Sequence, residues 1–171
     1  GSNFQMGKIK NKYSYYFSKN QYIWGWATWR RVWQKYDINM ESYKENKDEL
    51  KNIFKGNVLR QIYWKYIFDR VIDGRINTWD YQLTWMFFTN NYLGIYPSVN
   101  LIKNIGVGKE SLNSKIKTKA MDLKTQEISF PLKHPKFIMP DNSSDKITEK
   151  VAHPMFRFFI SKLIKAILRI K

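Results

Sequence analysis

Apolar residues recur at helical spacing in two central stretches of the chain. After Gly56, Leu59, Ile62, Tyr63, Tyr66, Ile67 and Val71 form a stripe that Asp73-Gly74 ends, which predicts a helix. From Asp80 onward, Tyr81, Trp85, Phe88 and Tyr92 follow one face while Leu83, Met86 and Phe87 fill another, so this helix should be buried nearly all round. A more charged helix is expected from about Glu41 to Phe54. Between Tyr22 and Trp33 two periods compete: Trp26, Trp29, Trp33 and Tyr36 fit a helix, whereas Trp24, Trp26 and Thr28 alternate as a strand. Gly25 favours a strand closely approached by a ligand or another backbone, passing into a helix near Arg30.

Farther along, a break at Leu93-Gly94 leads to two short expected strands, around Ile95-Tyr96 and over Ser98 to Lys103, flanking Pro97. Residues 109–119 are polar and lysine-rich and predict a loop. Phe130 to Pro135 reads as an extended crossing segment, and Asp141 to Asp145 as a solvated turn. Met155 to Lys171, taken as a helix, sets Phe156, Phe159, Ile160, Leu163, Ile164 and Ile167 opposite Arg157, Lys162, Lys165 and Arg169. Such a basic amphipathic helix either lies on an anionic membrane surface or packs on the domain or a partner.

At 171 residues, 43% hydrophobic and 17% aromatic, the chain supports one domain with a real core. No run approaches the roughly 18 consecutive apolar residues of a membrane span, and no signal-peptide pattern opens the sequence, so a cytoplasmic location is expected. Cysteine is absent and the two histidines, His134 and His153, each precede proline, which argues against thiolate metal sites and a Ser-His-Asp triad. A net charge of +16 draws phosphate-rich partners without choosing among nucleic acid, anionic lipid and nucleotide diphosphates. The sequence opens Gly1-Ser2-Asn3-Phe4, with no starting methionine, and is expected to begin inside a larger protein.

The residue with most chemical promise is Asp80. The first turn of a helix favours a carboxylate through its free amides and dipole, so Asp80 either charge-complements the helix or serves as a poised general base.

Three segments together, Tyr22 to Trp33, Thr78-Trp79-Asp80-Tyr81-Gln82 and Pro97 to Gly106, resemble a bacterial group of family 2 glycosyltransferases, some of whose members carry the label hemolytic protein. Phe130 to Pro135 and Asp145 also resemble that group, so the likeness runs from about Gly1 to His153. The resemblance implies an α/β fold: the C-terminal, acceptor-side half of a GT-A-like nucleotide-diphospho-sugar transferase, helix-rich with a few short mixed-sheet strands. Residues 1–153 would form that portion and residues 154–171 the basic amphipathic helix.

The implied activity is transfer of a sugar from a nucleotide-diphosphate donor to a glycan acceptor, in bacterial surface polysaccharide synthesis at the inner membrane face. Asp80 would be the general base, with Trp79 where relatives carry Glu. Trp24, Gly25, Trp26 and Thr28 would bind sugar together with Trp79 and Gln82, although core packing is the other reading of the aromatic residues. Arg30 and Arg31 would counter the diphosphate, or one of them would form a structural ion pair. A divalent metal, Mg or Mn, is expected only with the family's Asp-x-Asp, a motif absent from these 171 residues. The chain departs from the family's Ala-Thr-His-Thr element, with Asn113 at the histidine's place. The alternative from another class is a non-catalytic basic module that binds a membrane surface or nucleic acid.

Overall fold

The structure, a computed structural model, describes residues 1–3, 11–106, 123–153, 155 and 158–162. The polar stretch at 109–119, Asn113 included, and most of 154–171 lie outside the described residues. The fold is mixed α/β and helix-rich, with one two-stranded antiparallel sheet among the described residues.

Two helices, α4 (Val58–Ile72) and α5 (Asp80–Thr89), make the core. Asn57 starts α4 by accepting a hydrogen bond from the Arg60 amide, and Gly74, at φ +74°, turns the chain out after its end. On the inner face of α4, Trp64 and Phe68 meet Phe88 and Trp85 of α5 at ring distances of 5.1 and 5.6 Å. Buried edge-to-face contacts of this kind add about 0.5–1.5 kcal/mol each beyond area burial. The expected burial of α5 is largely observed, with Gln82 to Met86 and Phe88 buried.

The expected helix from Glu41 to Phe54 is two short helices, α2 (Glu41–Glu45) and α3 (Glu49–Ile53), parted at Asn46. Each delivers one side chain inward: Tyr43 stacks edge-on against Trp85 and donates its hydroxyl to Asp69, while Leu50 joins the core. Asp37 anchors the start of α2 by accepting from the Ser42 amide and hydroxyl at 2.8 Å.

The sheet pairs β1 (Tyr15–Ser18) with β2 (Gly94–Pro97), Tyr16 opposite Tyr96. The aromatic segment that supplies β1 carried no strand expectation, and Ser98 to Lys103 form no strand. The expected strand at Trp24 to Thr28 is also absent. Gly25 takes a left-handed turn at φ +57°, and α1 (Arg30–Trp33) follows where a helix was anticipated. The close approach inferred at Gly25 is real, but its neighbour is the Ile102 side chain, 2.9 Å from where a Cβ would stand.

Residues 123–139 hold no helix or strand; within them the crossing segment expected at Phe130 to Pro135 passes the start of β1, where the Ser14 amide donates to the Lys133 carbonyl. The solvated turn expected at Asp141 to Asp145 is instead the start of α6 (Asn142–Ala152). Asp141 caps it by accepting from the Ser143 and Ser144 amides at 3.0 Å. Asp145 is buried and accepts from the Ser18 hydroxyl at 2.5 Å, which fastens α6 to β1. Helical spacing then brings Glu149 to Arg60 of α4 at 2.7 Å and His153 to the rings of Tyr63 and Trp64.

Beyond α6, Met155 and residues 158–162 are helical. Met155, Phe158 and Phe159 pack against the main core, and Lys162 lies 4.2 Å from the Tyr66 ring. Of the two placements open to the amphipathic segment, its described part packs on the domain. No helix among the described residues is long and apolar enough to cross a membrane.

Candidate functional site

Asp80 is the first residue of α5, half-buried, and its Oδ1 accepts a hydrogen bond from the Thr78 hydroxyl. That contact fixes the carboxylate's orientation. Among the described residues no Lys or Arg forms an ion pair with it. Its charge reaches two phenols: burial chiefly, and Asp80 next, push the Tyr81 hydroxyl up to about 12 and raise that of Tyr36.

Next to Asp80, beginning at its neighbour Trp79, stands an aromatic wall. Trp26 lies 5.3 Å from Trp79 and 5.8 Å from Trp33, whose ring stacks on Tyr36 at 4.5 Å. The Tyr36 hydroxyl donates to the Trp79 carbonyl at 2.8 Å, closing the ring of contacts. Trp26, Trp79 and Trp33 remain 36, 39 and 43% exposed, so they are not core residues. Three exposed indoles, with Trp26 in contact with both of the others, form an apolar surface patch of the kind that marks a binding site.

Two adjoining clefts lie near the wall, the first of them sharing Trp26 with it. The first, about 250 Å³, is lined by Trp24, Gly25, Trp26 and Thr28 with Leu83 and Phe87 of α5. The second, about 400 Å³, is lined by Arg31 and Lys35 with Trp29, Phe87 and Tyr92. The clefts share Ala27, Thr28, Phe87, Gly94 and Ile95, so they adjoin. Asp80 lines neither; Trp26 is the link, with one side in the first cleft and a ring contact to the tryptophan preceding Asp80.

The structure thus brings together Trp24, Gly25, Trp26 and Thr28, places Trp79 and Asp80 against the same wall, and sets Arg31 in the adjoining cleft. Arg30 is exposed on α1 and lines neither cleft, and no described carboxylate pairs with either arginine. Gln82 is turned into the interior, 8% exposed, and its Oε1 has no hydrogen-bond partner among the described residues.

Sequence reasoning did not single out Thr78, Lys35 or Phe87 as site residues. Thr78 carried a signal, standing two residues before the acid, at hydroxyl-to-carboxylate reach. Trp33 and Tyr36 were visible as part of a helical stripe, but periodicity reads such a stripe as buried.

Among the described residues no three His, Asp or Glu side chains stand together as metal ligands. No family model matches this chain, nor does any curated protein or solved structure.

Proposed function

We propose that the chain is the acceptor-side portion of a sugar transferase, in which Asp80 takes the proton from the attacking hydroxyl of a glycan held on the Trp26–Trp33–Trp79 wall. The observation that carries this reading is an oriented carboxylate, free of ion pairing among the described residues, beside exposed indoles. Indole faces cover the apolar faces of sugar rings, and a sugar hydroxyl is a weak nucleophile that needs a base within hydrogen-bond reach as the glycosyl bond forms. The donor is a nucleotide-diphosphate sugar, bound by an Asp-x-Asp half that these 171 residues do not include.

The test joins the chain to a donor-binding half carrying Asp-x-Asp and follows nucleotide release. Asp80→Asn should lower turnover by about 10²- to 10⁴-fold while acceptor binding persists. Undiminished turnover in that variant would remove Asp80 as the base. The membrane-surface alternative draws less support from the described residues, because Phe158 and Phe159 are engaged with the chain's own core.

A further inference from the structure

The two clefts lie along α5 in a definite order. Asp80 opens the helix, Leu83 and Phe87 line the first cleft, and Phe87 and Tyr92 line the second. Lys35 marks the far end, its ammonium donating to Asn90 Oδ1, where Asn90 caps the C-terminus of α5. The ten residues of α5 span about 15 Å along its axis at 1.5 Å rise per residue, so Lys35 stands at the opposite end of the helix from Asp80.

The second cleft carries Arg31 and Lys35 and no acidic residue in its lining. Neither cation forms an ion pair with a described carboxylate; Arg31 lies over the Trp29 ring at 5.1 Å and Lys35 over Tyr92 at 5.5 Å. Lys35 also complements the negative end of the α5 dipole, which accounts for its position but not for that of Arg31. Two cations held by aromatic rings in one concave site present a guanidinium fork and an ammonium to the same ligand.

Resting on the transferase reading above, we infer that the acceptor is an acidic oligosaccharide, and that Arg31 and Lys35 bind a carboxylate or phosphate on a sugar remote from the reacting hydroxyl. The donor diphosphate is bonded directly to the reacting anomeric carbon and must stay beside Asp80. A charge at the opposite end of α5, past the Trp24–Gly25–Trp26 cleft, therefore belongs to the acceptor. The first cleft holds the intervening sugar against Trp26, and the anion fixes the register of the chain over the base.

Equilibrium binding to the full chain tests this with three tetrasaccharides of equal length: neutral, uronic-acid-bearing and phosphate-bearing. At least one acidic tetrasaccharide should bind about tenfold more tightly than the neutral one, and which of them does identifies the anion. Arg31→Ala/Lys35→Ala should abolish that advantage and leave neutral binding intact. Lys55→Ala/Lys136→Ala, equal in charge removed and outside both clefts, should preserve it. The inference is overturned if the Arg31/Lys35 variant keeps the advantage, if the Lys55/Lys136 variant loses it equally, or if neither acid is preferred. Asp80→Asn should bind all three sugars like the parent, so a loss of turnover there with no acid preference would sink the subsite alone.

Discussion

His153 is packed between Tyr22, Tyr63 and Trp64, with its Nδ1 buried and no hydrogen-bond partner for that atom among the described residues. Burial first, and the Arg60 guanidinium next, lower its pKa from 6.5 to about 4. The folded state therefore refuses a proton that the unfolded chain accepts below 6.5. Stability is complete above that pH and falls as pH drops from 6.5 toward 4, by about 3 kcal/mol at about 1.4 kcal/mol per unit. Two carboxylates on the same side of α6 oppose this: burial raises Asp145 and Glu149, so protonating either favours the fold. Denaturant melts at pH 7 and pH 4.5 should show the loss in the parent and not in His153→Phe; an equal loss in both would assign the acid sensitivity elsewhere. None of this is legible in the sequence, where His153 is only a residue before a proline.

Between elements, the contact that ties α6 to α4 is the Arg60–Glu149 pair, with side chains 24 and 17% exposed. Glu149 keeps a raised pKa even beside a guanidinium, so its desolvation outweighs the attraction. The two partners are therefore unequal. Glu149→Gln should change stability by less than about 1 kcal/mol, whereas Arg60→Met should lose about 3 kcal/mol by leaving a buried carboxylate unpaired. Equal costs, measured by urea unfolding at pH 7, would contradict this account. At this scale the sequence was readable where period and stop signals agreed: α4 between Asn57 and Gly74, and α5 opening at Asp80. It was misread where tertiary contacts decide. β1 exists because β2 and residues 140–141 bond to it and Lys133 bonds Ser14 just before it, and α6 forms because Asp141 caps it and Asp145 accepts from Ser18. Of these contacts only the Asp141 cap is local; β2 and Ser18 lie far off in sequence from the elements they hold.

For the molecule as a whole, the two central helices followed from periodicity, whereas the mixed α/β, helix-rich character that the structure shows was expected from the family resemblance. The candidate site was partly visible. Trp24 to Thr28 and the Thr78-Trp79-Asp80 motif lie apart in sequence, and only the fold shows Trp26 joining them. Arg31 was named without its companion Lys35, because the four-residue spacing gains meaning only when both line one cleft, with Lys35 reaching the C-terminal end of α5. One junction couples distant parts. Tyr22 lines the aromatic cleft with one side and stacks on His153 with the other, at 6.3 Å, while its amide donates to the Tyr96 hydroxyl in the cleft wall. Under the proposed function, a saccharide that binds only the folded chain and a proton that His153 accepts only on unfolding are antagonists, linked through the folding equilibrium. Saturating glycan, at about 100 times its Kd, should add about 2.7 kcal/mol to the native state and move the acid unfolding midpoint to lower pH, as tryptophan emission would report. On that reading, an occupied cleft would offset most of the acid sensitivity that His153 confers on the interior.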